Sequence, residues 1–496
     1  MENATPQLKV LYAASEALPL IKTGGLADVA GSLPAALRWA NVDARLVLPA
    51  YPQAVELSGK LRPIATTRIP GCPDPVRILE GEVADQVPLY LVDAPGFFDR
   101  RGNPYTDRSG RDWVDNAWRF STFCRTVVMM AMNRLDLGWH PDLVHTNDWQ
   151  TGLISALLAQ EWNRPATVFT VHNLSYQGLF DRRTFDSLHL PVQLWSHEAV
   201  EFHDKLSFIK GGLAFADWIT TVSPTYARQI LDPAYGYGLE GLLAHRQDRL
   251  AGILNGIDYR IWDPSNDPHL IQSYDHDTFD LKHANKAHLQ RELGLVEDPE
   301  VFLVGHIGRV VEQKGVDLIL EVLPRLMERG RVQVAVLGSG AHDLEEALRA
   351  AAARYPGRVA VQIGYNEPLA HRIEAGADAF VMPSRFEPCG LNQIYSLRYG
   401  TVPIVHRTGG LADTVVDASP QHLLNGAATG FVFDQAEAAS LWDALERAME
   451  MYHRPGMWWR KLASTGMDQD FSWPASAARY IEIYHKALNN PAHSPV

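Results

Sequence analysis

The sequence predicts an α/β protein built on two doubly wound parallel sheets, and three observations carry that expectation. Short apolar, β-branched runs alternate with longer segments of helical period, the order that buries a parallel sheet beneath helices. About six strand-length runs fall in each half of the chain, enough for a sheet in each. The chain has 496 residues, a length that two α/β domains of roughly 200–250 residues account for.

In the first half the strand candidates are Lys9–Ala13, Ala44–Leu48, Leu89–Val92, Leu143–His145, Thr167–Val171, Trp218–Val222 and Gly252–Leu254. In the second they are Val301–Ile307, Val332–Leu337, Val359–Ile363, Ala379–Met382, Val402–Val405 and Gly430–Phe433. The pattern breaks near Asn255–Pro264, where a polar stretch runs to Asp280 before helical period resumes over Leu281–Leu293. A second break, Phe471-Ser472-Trp473-Pro474, precedes a final amphipathic helix over Ala475–Leu488 with Tyr480, Ile483 and Tyr484 on one face. Its pattern allows it to cap either domain.

Composition excludes several classes. The formal charge is −13 without a Lys/Arg-dense block, which argues against electrostatic binding of nucleic acid or an anionic membrane. It leaves room for a phosphorylated small molecule or a neutral polysaccharide. Cys72, Cys124 and Cys389 are odd in number and far apart, so neither a disulfide framework nor a zinc site is expected. The first residues lack the basic and apolar regions of a secretory signal, and no apolar run reaches the length of a membrane helix. The chain reads as soluble and cytoplasmic.

Ligands of open α/β sheets bind beyond the carboxyl ends of the strands, so the loops there are the candidate sites. Lys22-Thr23-Gly24-Gly25-Leu26-Ala27-Asp28 follows the first strand. Two glycines let backbone approach an anion, the helix start offers unpaired N–H groups, and Lys22 adds a charge. Gly308 to Gly315 contains Arg309 and Lys314, five residues apart, and suits a diphosphate. Ser384 to Asn392 places Glu387 before a helix expected to begin near Gly390-Leu391. A lone Glu there also serves as a helix-dipole partner, and Cys389 reads as a small buried residue. His145 to Gln150 and Val171-His172-Asn173 supply polar groups for sugar hydroxyls, with Trp149 a candidate to stack on a pyranose. Metal ligation by His145, Asp148 and His172 is the rival, weakened by the absence of a compact ligand motif. KTGGLAD at 22–28 recurs as RTGGLAD at 407–413, either as a convenient strand-to-helix turn or as a second helix start aimed at a ligand.

These segments resemble the bacterial glycogen synthase and plant starch synthase family, retaining glycosyltransferases with the GT-B fold. KTGGLADV, HTNDWQTGL, VHNLSYQG, LNGID, GRVVEQKG, SRFEPCGLNQ and RTGGLADTV occur in the family's order along nearly the whole chain. The resemblance implies two Rossmann-like domains facing a central cleft. An N-terminal acceptor-side domain would span residues 1–258 and a nucleotide-sugar-binding domain 259–473, with a helix over 474–496 crossing back to the first. It implies transfer of glucose from ADP-glucose to the non-reducing 4-OH of an α-1,4-glucan such as glycogen, with retention. Glu387, His172, Arg309 and Lys314 match catalytic positions. Lys22, Gly24, Gly25, Asp28, Asp148, Asn255, Tyr365, Cys389, Gly390, Leu391 and Asn392 match donor-binding positions. No metal or other cofactor is expected, because cations of the chain take that role. Many retaining GT-B enzymes carry a second glutamate where this sequence has Tyr395, which speaks against a mechanism needing a carboxylate pair. The alternatives are UDP-glucose or another acceptor, a non-catalytic glucan-binding protein, and a nicotinamide oxidoreductase. Joint retention of Lys22, Arg309, Lys314 and Glu387 opposes the second, and the missing G-x-G-x-x-G the third.

Overall fold

A computed structural model describes residues 7–100 and 102–490. The chain forms two compact units: one runs to Gly256 and resumes at Trp473, and the other spans Ile257–Ser472.

The first unit holds a nine-stranded sheet. Seven strands are parallel, in the order Leu250–Gly252, Trp218–Thr221, Ala166–Val171, Leu143–Asn147, Lys9–Ala13, Asp43–Pro49 and Val87–Asp93. Antiparallel Val76–Val83 and Arg62–Thr67 then extend one edge. Those two strands, and a small sheet of Leu179–Asp181, Lys205–Ser207 and Glu201–Phe202, escape the sequence pattern. Arg62–Thr67 is largely exposed and lacks the apolar signature of a buried strand. The central strands read as apolar runs because helices cover both faces: Val10 to Ala13 are fully buried.

The second unit holds six parallel strands, ordered Val359–Ile363, Val332–Gly338, Phe302–Ile307, Ala379–Met382, Val402–His406 and Phe431–Phe433. Its core is split between the two faces, one side centred on Val316, Val322 and Leu326 and the other on Leu289, Ile373 and Leu411.

In both sheets the chain starts near the middle, builds outward, then returns to build the other side. The switch point of the first sheet lies between Lys9–Ala13 and Leu143–Asn147, and that of the second between Phe302–Ile307 and Ala379–Met382. At a switch point the two connections leave in opposite directions and open a crevice beyond the strand ends. The loops carrying Lys22, Asp148, Arg309 and Glu387 all leave these strands.

The final helix starts at Trp473, not after Pro474. Proline in a first helical turn has no needed N–H to lose, so the expected break is a helix start. Ala477, Tyr480, Ile483, Tyr484 and Ala487 are buried in the first unit's core, against the helix Gly25–Trp39. Tyr484 OH lies 2.7 Å from His145 Nδ1, and Ser476 Oγ donates to the Leu254 carbonyl at 2.7 Å. Gly256 leaves room for Trp473, whose Cα a Cβ would approach to 2.7 Å. His145 is buried, and its other ring nitrogen is 2.6 Å from Thr170 Oγ1. Tyr484→Phe therefore strands a buried ring nitrogen and should cost about 1–3 kcal/mol. A denaturant midpoint unchanged from the parent would remove this bond from the account of how the helix is held.

Candidate active site

In the first unit, Glu16 lies three residues beyond the first strand, in the connection to the helix Gly25–Trp39, and is nearly fully buried. Its Oε2 accepts from Thr23 N (2.5 Å), Thr23 Oγ1 (2.6 Å) and Gly24 N (3.3 Å). The carboxyl holds the KTGG turn from beneath, and burial pushes its pKa to about 6 despite those donors. This corrects the expectation for Gly24, whose amide is engaged inside the protein. The N–H groups of Gly25 and Leu26, which open the helix Gly25–Trp39, have no acceptor among the described residues. A Cβ on Gly25 would meet nothing within 4 Å, and one on Gly24 only Glu16 Oε1 at 3.7 Å. Packing does not require either glycine, so their absent side chains leave space in front of a helix start. Lys22 Nζ donates to Asp28 Oδ1 at 2.9 Å, which pairs two of the predicted donor-binding residues at the surface.

Asp148, directly after Leu143–Asn147, has φ of 56°, a region non-glycine residues enter at a cost and occupy mainly at functional turns. Its Oδ1 accepts from His172 N at 2.7 Å. The residue reaches solvent in part, yet desolvation of the carboxyl outweighs the His172 and Asn173 amides and raises its pKa to about 7. Asn147 joins the cluster. Its Nδ2 donates to the Ala13 carbonyl at 3.0 Å, which leaves Oδ1 to accept from Tyr12 OH (3.1 Å) and from His172 Nε2 (2.9 Å). The shared amide fixes His172 as the Nε2–H tautomer with Nδ1 as an acceptor. Desolvation keeps the ring neutral, with its pKa lowered to about 3. Asn255 is buried, and its Oδ1 has no hydrogen-bond partner among the described residues.

One expectation fails here, and the rival metal reading loses ground. Trp149 is ringed by Phe120, Phe180 and Phe208, with centroids 5.1–6.0 Å away; it packs the core and is no sugar platform. His145 has both nitrogens engaged by Tyr484 and Thr170, so the metal rival loses a ligand. Among the described residues no group of three or more His, Cys, Asp and Glu side chains could hold a metal.

In the second unit, the loop after Phe302–Ile307 turns through Gly315, whose φ is 71° and whose Cβ would meet the Pro383 carbonyl at 2.2 Å. Lys314, one residue before, donates from Nζ to Glu387 Oε2 at 2.5 Å, and Ser384 Oγ donates to the same oxygen at 3.2 Å. Glu387 is only 7% exposed. Arg309 is exposed, donates to Gln313 Oε1 at 2.9 Å, and has no carboxylate partner among the described residues. The helix expected near Gly390 begins at Asn392, because Gly390 lies at φ 72°. The N–H groups of Gly390, Leu391 and Asn392 have no acceptor among the described residues and are partly exposed. The side chain of Asn392 instead ties back to the Ile307 carbonyl at 2.7 Å. Cys389 is buried.

The second TGG copy does a different job. Gly410 N donates to the Glu387 and Pro388 carbonyls at 3.2 and 3.1 Å. A Cβ on Gly409 would lie 1.9 Å from the Glu387 oxygen, and one on Gly410 2.1 Å from the Cys389 oxygen. These glycines seat the Glu387 loop and present nothing to a ligand. Tyr395 stacks on Trp262 at 3.8 Å, with His371 3.8 Å away on the same indole, so packing fills the place of a second carboxylate. Tyr365 is 75% exposed, its hydroxyl donating to Glu367 Oε2 at 2.8 Å. Sequence reasoning missed Glu16, and it placed Asn147 only within the polar segment His145 to Gln150, without its role in orienting His172. Glu16 is the one acid in the connection from Ala14 to Gly24, three residues beyond the first strand, and that is its only signal.

A starch synthase catalytic domain family matches residues 9–245, and the glycosyl transferases group 1 family matches 285–459. The chain is 54% identical over 479 residues to "Glycogen synthase" of Thioalkalivibrio sulfidiphilus, covering 96% of this chain and 99% of that one. It is 52% identical over 492 residues to "Glycogen synthase 1" of Methylococcus capsulatus, covering 97% of each. Among solved structures, the catalytic domain of starch synthase IV from Arabidopsis thaliana bound to ADP and acarbose superposes with a TM-score of 0.87 at 32% identity. That match covers 98% of this chain and 100% of the other. With two parallel-sheet α/β units and these relatives along its length, the chain is a GT-B glycosyltransferase and belongs to the glycogen and starch synthase family.

Proposed function

We propose that the chain transfers glucose from ADP-glucose to the non-reducing 4-OH of an α-1,4-glucan, with retention, in the cytoplasm. The observation that carries the reading is the arrangement around Glu387. A buried carboxylate held by Lys314 and Ser384 is followed within five residues by the acceptor-free N–H groups of Gly390, Leu391 and Asn392.

Breaking the anomeric C–O bond builds negative charge on the nucleoside diphosphate and positive charge on the sugar. Lys314 uses one of its three N–H bonds on Glu387 and keeps two for a phosphate oxygen. Arg309, with no carboxylate to satisfy, supplies a planar fork. The open N–H groups at Gly390 to Asn392 add fixed dipoles that need no reorganisation as charge develops, and such preorganisation is usually the largest catalytic contribution. Glu387 faces the opposite charge, on the sugar, and holds its hydroxyls.

Lys22 and the open Gly25 amide take part in gripping the donor, Lys22 exchanging Asp28 for phosphate. Neutral His172 accepts a sugar hydroxyl at Nδ1, and Asp148 accepts another, which relieves the desolvation that raises its pKa. Asn255 offers its unsatisfied Oδ1 to the donor. The exposed Tyr365 ring stacks on the base. Stacking is blind to base identity, so the donor is the decisive measurement.

Purified protein given glycogen primer and radiolabelled ADP-glucose should form labelled polymer without added metal. Equal or faster incorporation from UDP-glucose would overturn the donor assignment. Glu387→Ala should lower turnover by about 10²-fold or more, the scale of losing one preorganised electrostatic group. Lys314 reaches solvent in part and can rehydrate, so the stability loss should stay below the ~3–5 kcal/mol of a fully buried broken pair. Near-parental turnover would take Glu387 out of the mechanism. The two TGG copies separate binding from folding. Gly25→Ala should keep the parental melting temperature and raise the donor KM several-fold. Gly410→Ala should lower the melting temperature, because its Cβ runs into backbone. Indistinguishable behaviour of the two variants would contradict the division of labour.

A further inference from the structure

The first unit contains a cavity of about 960 Å³ that belongs to none of the chemistry above. Arg164 stands just before the strand Ala166–Val171, Asp217 just before Trp218–Thr221, and Arg249 just before Leu250–Gly252; all three line it. It therefore lies at the amino-terminal edge of the parallel sheet. Glu16, Asp148 and His172 follow the carboxyl ends of strands in that sheet, at the opposite edge.

The inner wall carries two cations, Lys210 and Arg246, whose direct partners among the described residues are backbone carbonyls and not carboxylates. Lys210, nearly fully buried, spends Nζ on the His197 and Glu201 backbone carbonyls, both at 2.5 Å. Arg246 spends its guanidinium on the carbonyls of Leu213, Ala214 and Ala216, at the end of the helix Phe208–Phe215. Neither has a carboxylate within ion-pair distance among the described residues. Among the described residues the Arg249 side chain makes a single contact at the limit of a hydrogen bond, 3.5 Å to Asn490 Oδ1.

The acids nearby do not redress this. Asp217 is consumed by a two-pronged contact with Arg164 and by Thr167. Glu198 and Asp248 stand in solvent, where screening weakens them. Holding a loop and capping a helix explain where Lys210 and Arg246 point. Carbonyl dipoles carry only partial charge, so these contacts leave a positive field beside buried Lys210 and half-buried Arg246. Its cost is visible in the two groups themselves. Burial lowers the pKa of both, outweighing the opposing charges of Glu201 at Lys210 and Asp217 at Arg246, and burial together with the charge of Arg249 brings Arg246 to about 10.

We propose that this cavity binds a small organic anion bearing a phosphate group. Its volume lies within the range of small-molecule sites, roughly 300–1,000 Å³. Phe202, Phe215 and Leu242 give it an apolar wall for the organic part, while Lys210, Arg246 and Arg249 face the phosphate. A compact dianion suits a point charge beside two planar forks better than a monocarboxylate does.

The probes are phenyl phosphate and inorganic phosphate, titrated by phosphorus NMR against the full chain carrying Arg309→Gln and Lys314→Gln, which weaken phosphate binding at the candidate active site. Phenyl phosphate should bind saturably at one equivalent, at least about fivefold tighter than inorganic phosphate. Arg249→Gln added to that background should weaken it about fivefold, the effect of one partly exposed ion pair. On the otherwise parental chain, Arg249→Gln should leave the melting temperature and glucosyl transfer unchanged. Absence of saturable binding, or affinity indifferent to Arg249→Gln, would overturn the site. Equal affinity for the two probes would overturn an organic ligand.

Discussion

The second unit depends on holding one carboxylate, Glu387, fixed in a nearly closed environment. A buried acid without a partner would either take up a proton or move toward water. Lys314 supplies that partner through a direct ion pair, and Ser384 adds a second donor. The backbone is held as firmly as the side chain. Gly410 donates to the Glu387 carbonyl, Arg385 N donates to the Gln313 carbonyl, and the Arg385 guanidinium pairs with Asp317 on the following helix. The loops after the two strands at the switch point are thereby fastened to each other. Arg309 and the amides of Gly390 to Asn392 keep unspent hydrogen-bonding capacity on that fastened frame.

The first unit solves the opposite problem. Its carboxyls, Glu16 and Asp148, are met by hydrogen-bond donors and no paired cation, and desolvation raises their pKa values to about 6 and 7. The folded state therefore holds their protons more tightly than the unfolded chain does. The stability this confers is complete below about pH 4 and is lost as pH rises through those values. His145 and His172 run the other way. Their pKa values fall to about 3, so they favour folding above about pH 6.5 and oppose it as pH drops toward 3. Near neutrality the cluster presents neutral imidazole and a weakly ionised acid. Such a surface suits hydroxyl groups, whereas the cationic loops of the second unit suit phosphate.

Much of this was legible in the sequence, and the limits are physical. The inner strands of both sheets are buried on both faces and read as apolar runs, which is why Lys9–Ala13 and Val332–Leu337 could be placed closely. Arg62–Thr67 has no such signature because its surface is open. Residue types at strand ends marked Lys22, Asp148, Arg309, Lys314 and Glu387 as candidates. They could not reveal which were already satisfied internally. That Gly24 N is held by Glu16, that Asn392 reaches the Ile307 carbonyl, and that Trp149 lies among three phenylalanines are consequences of tertiary contacts. No local pattern encodes them.

The repeated TGGLAD segment shows the limit most clearly. Both copies follow a parallel strand and open a helix, so local physics is the same and the sequence cannot rank them. What differs is the neighbour in front of the glycines. At Gly25 there is empty space, and removing a Cβ leaves backbone N–H groups open to a ligand. At Gly409 and Gly410 there is the backbone of Glu387 and Cys389, and removing a Cβ lets two loops close on each other. The glycine requirement is binding in the first copy and packing in the second. The first copy should therefore tolerate substitution in stability and not in donor affinity, while the second couples the two, since any shift of Gly410 moves the carbonyl of Glu387.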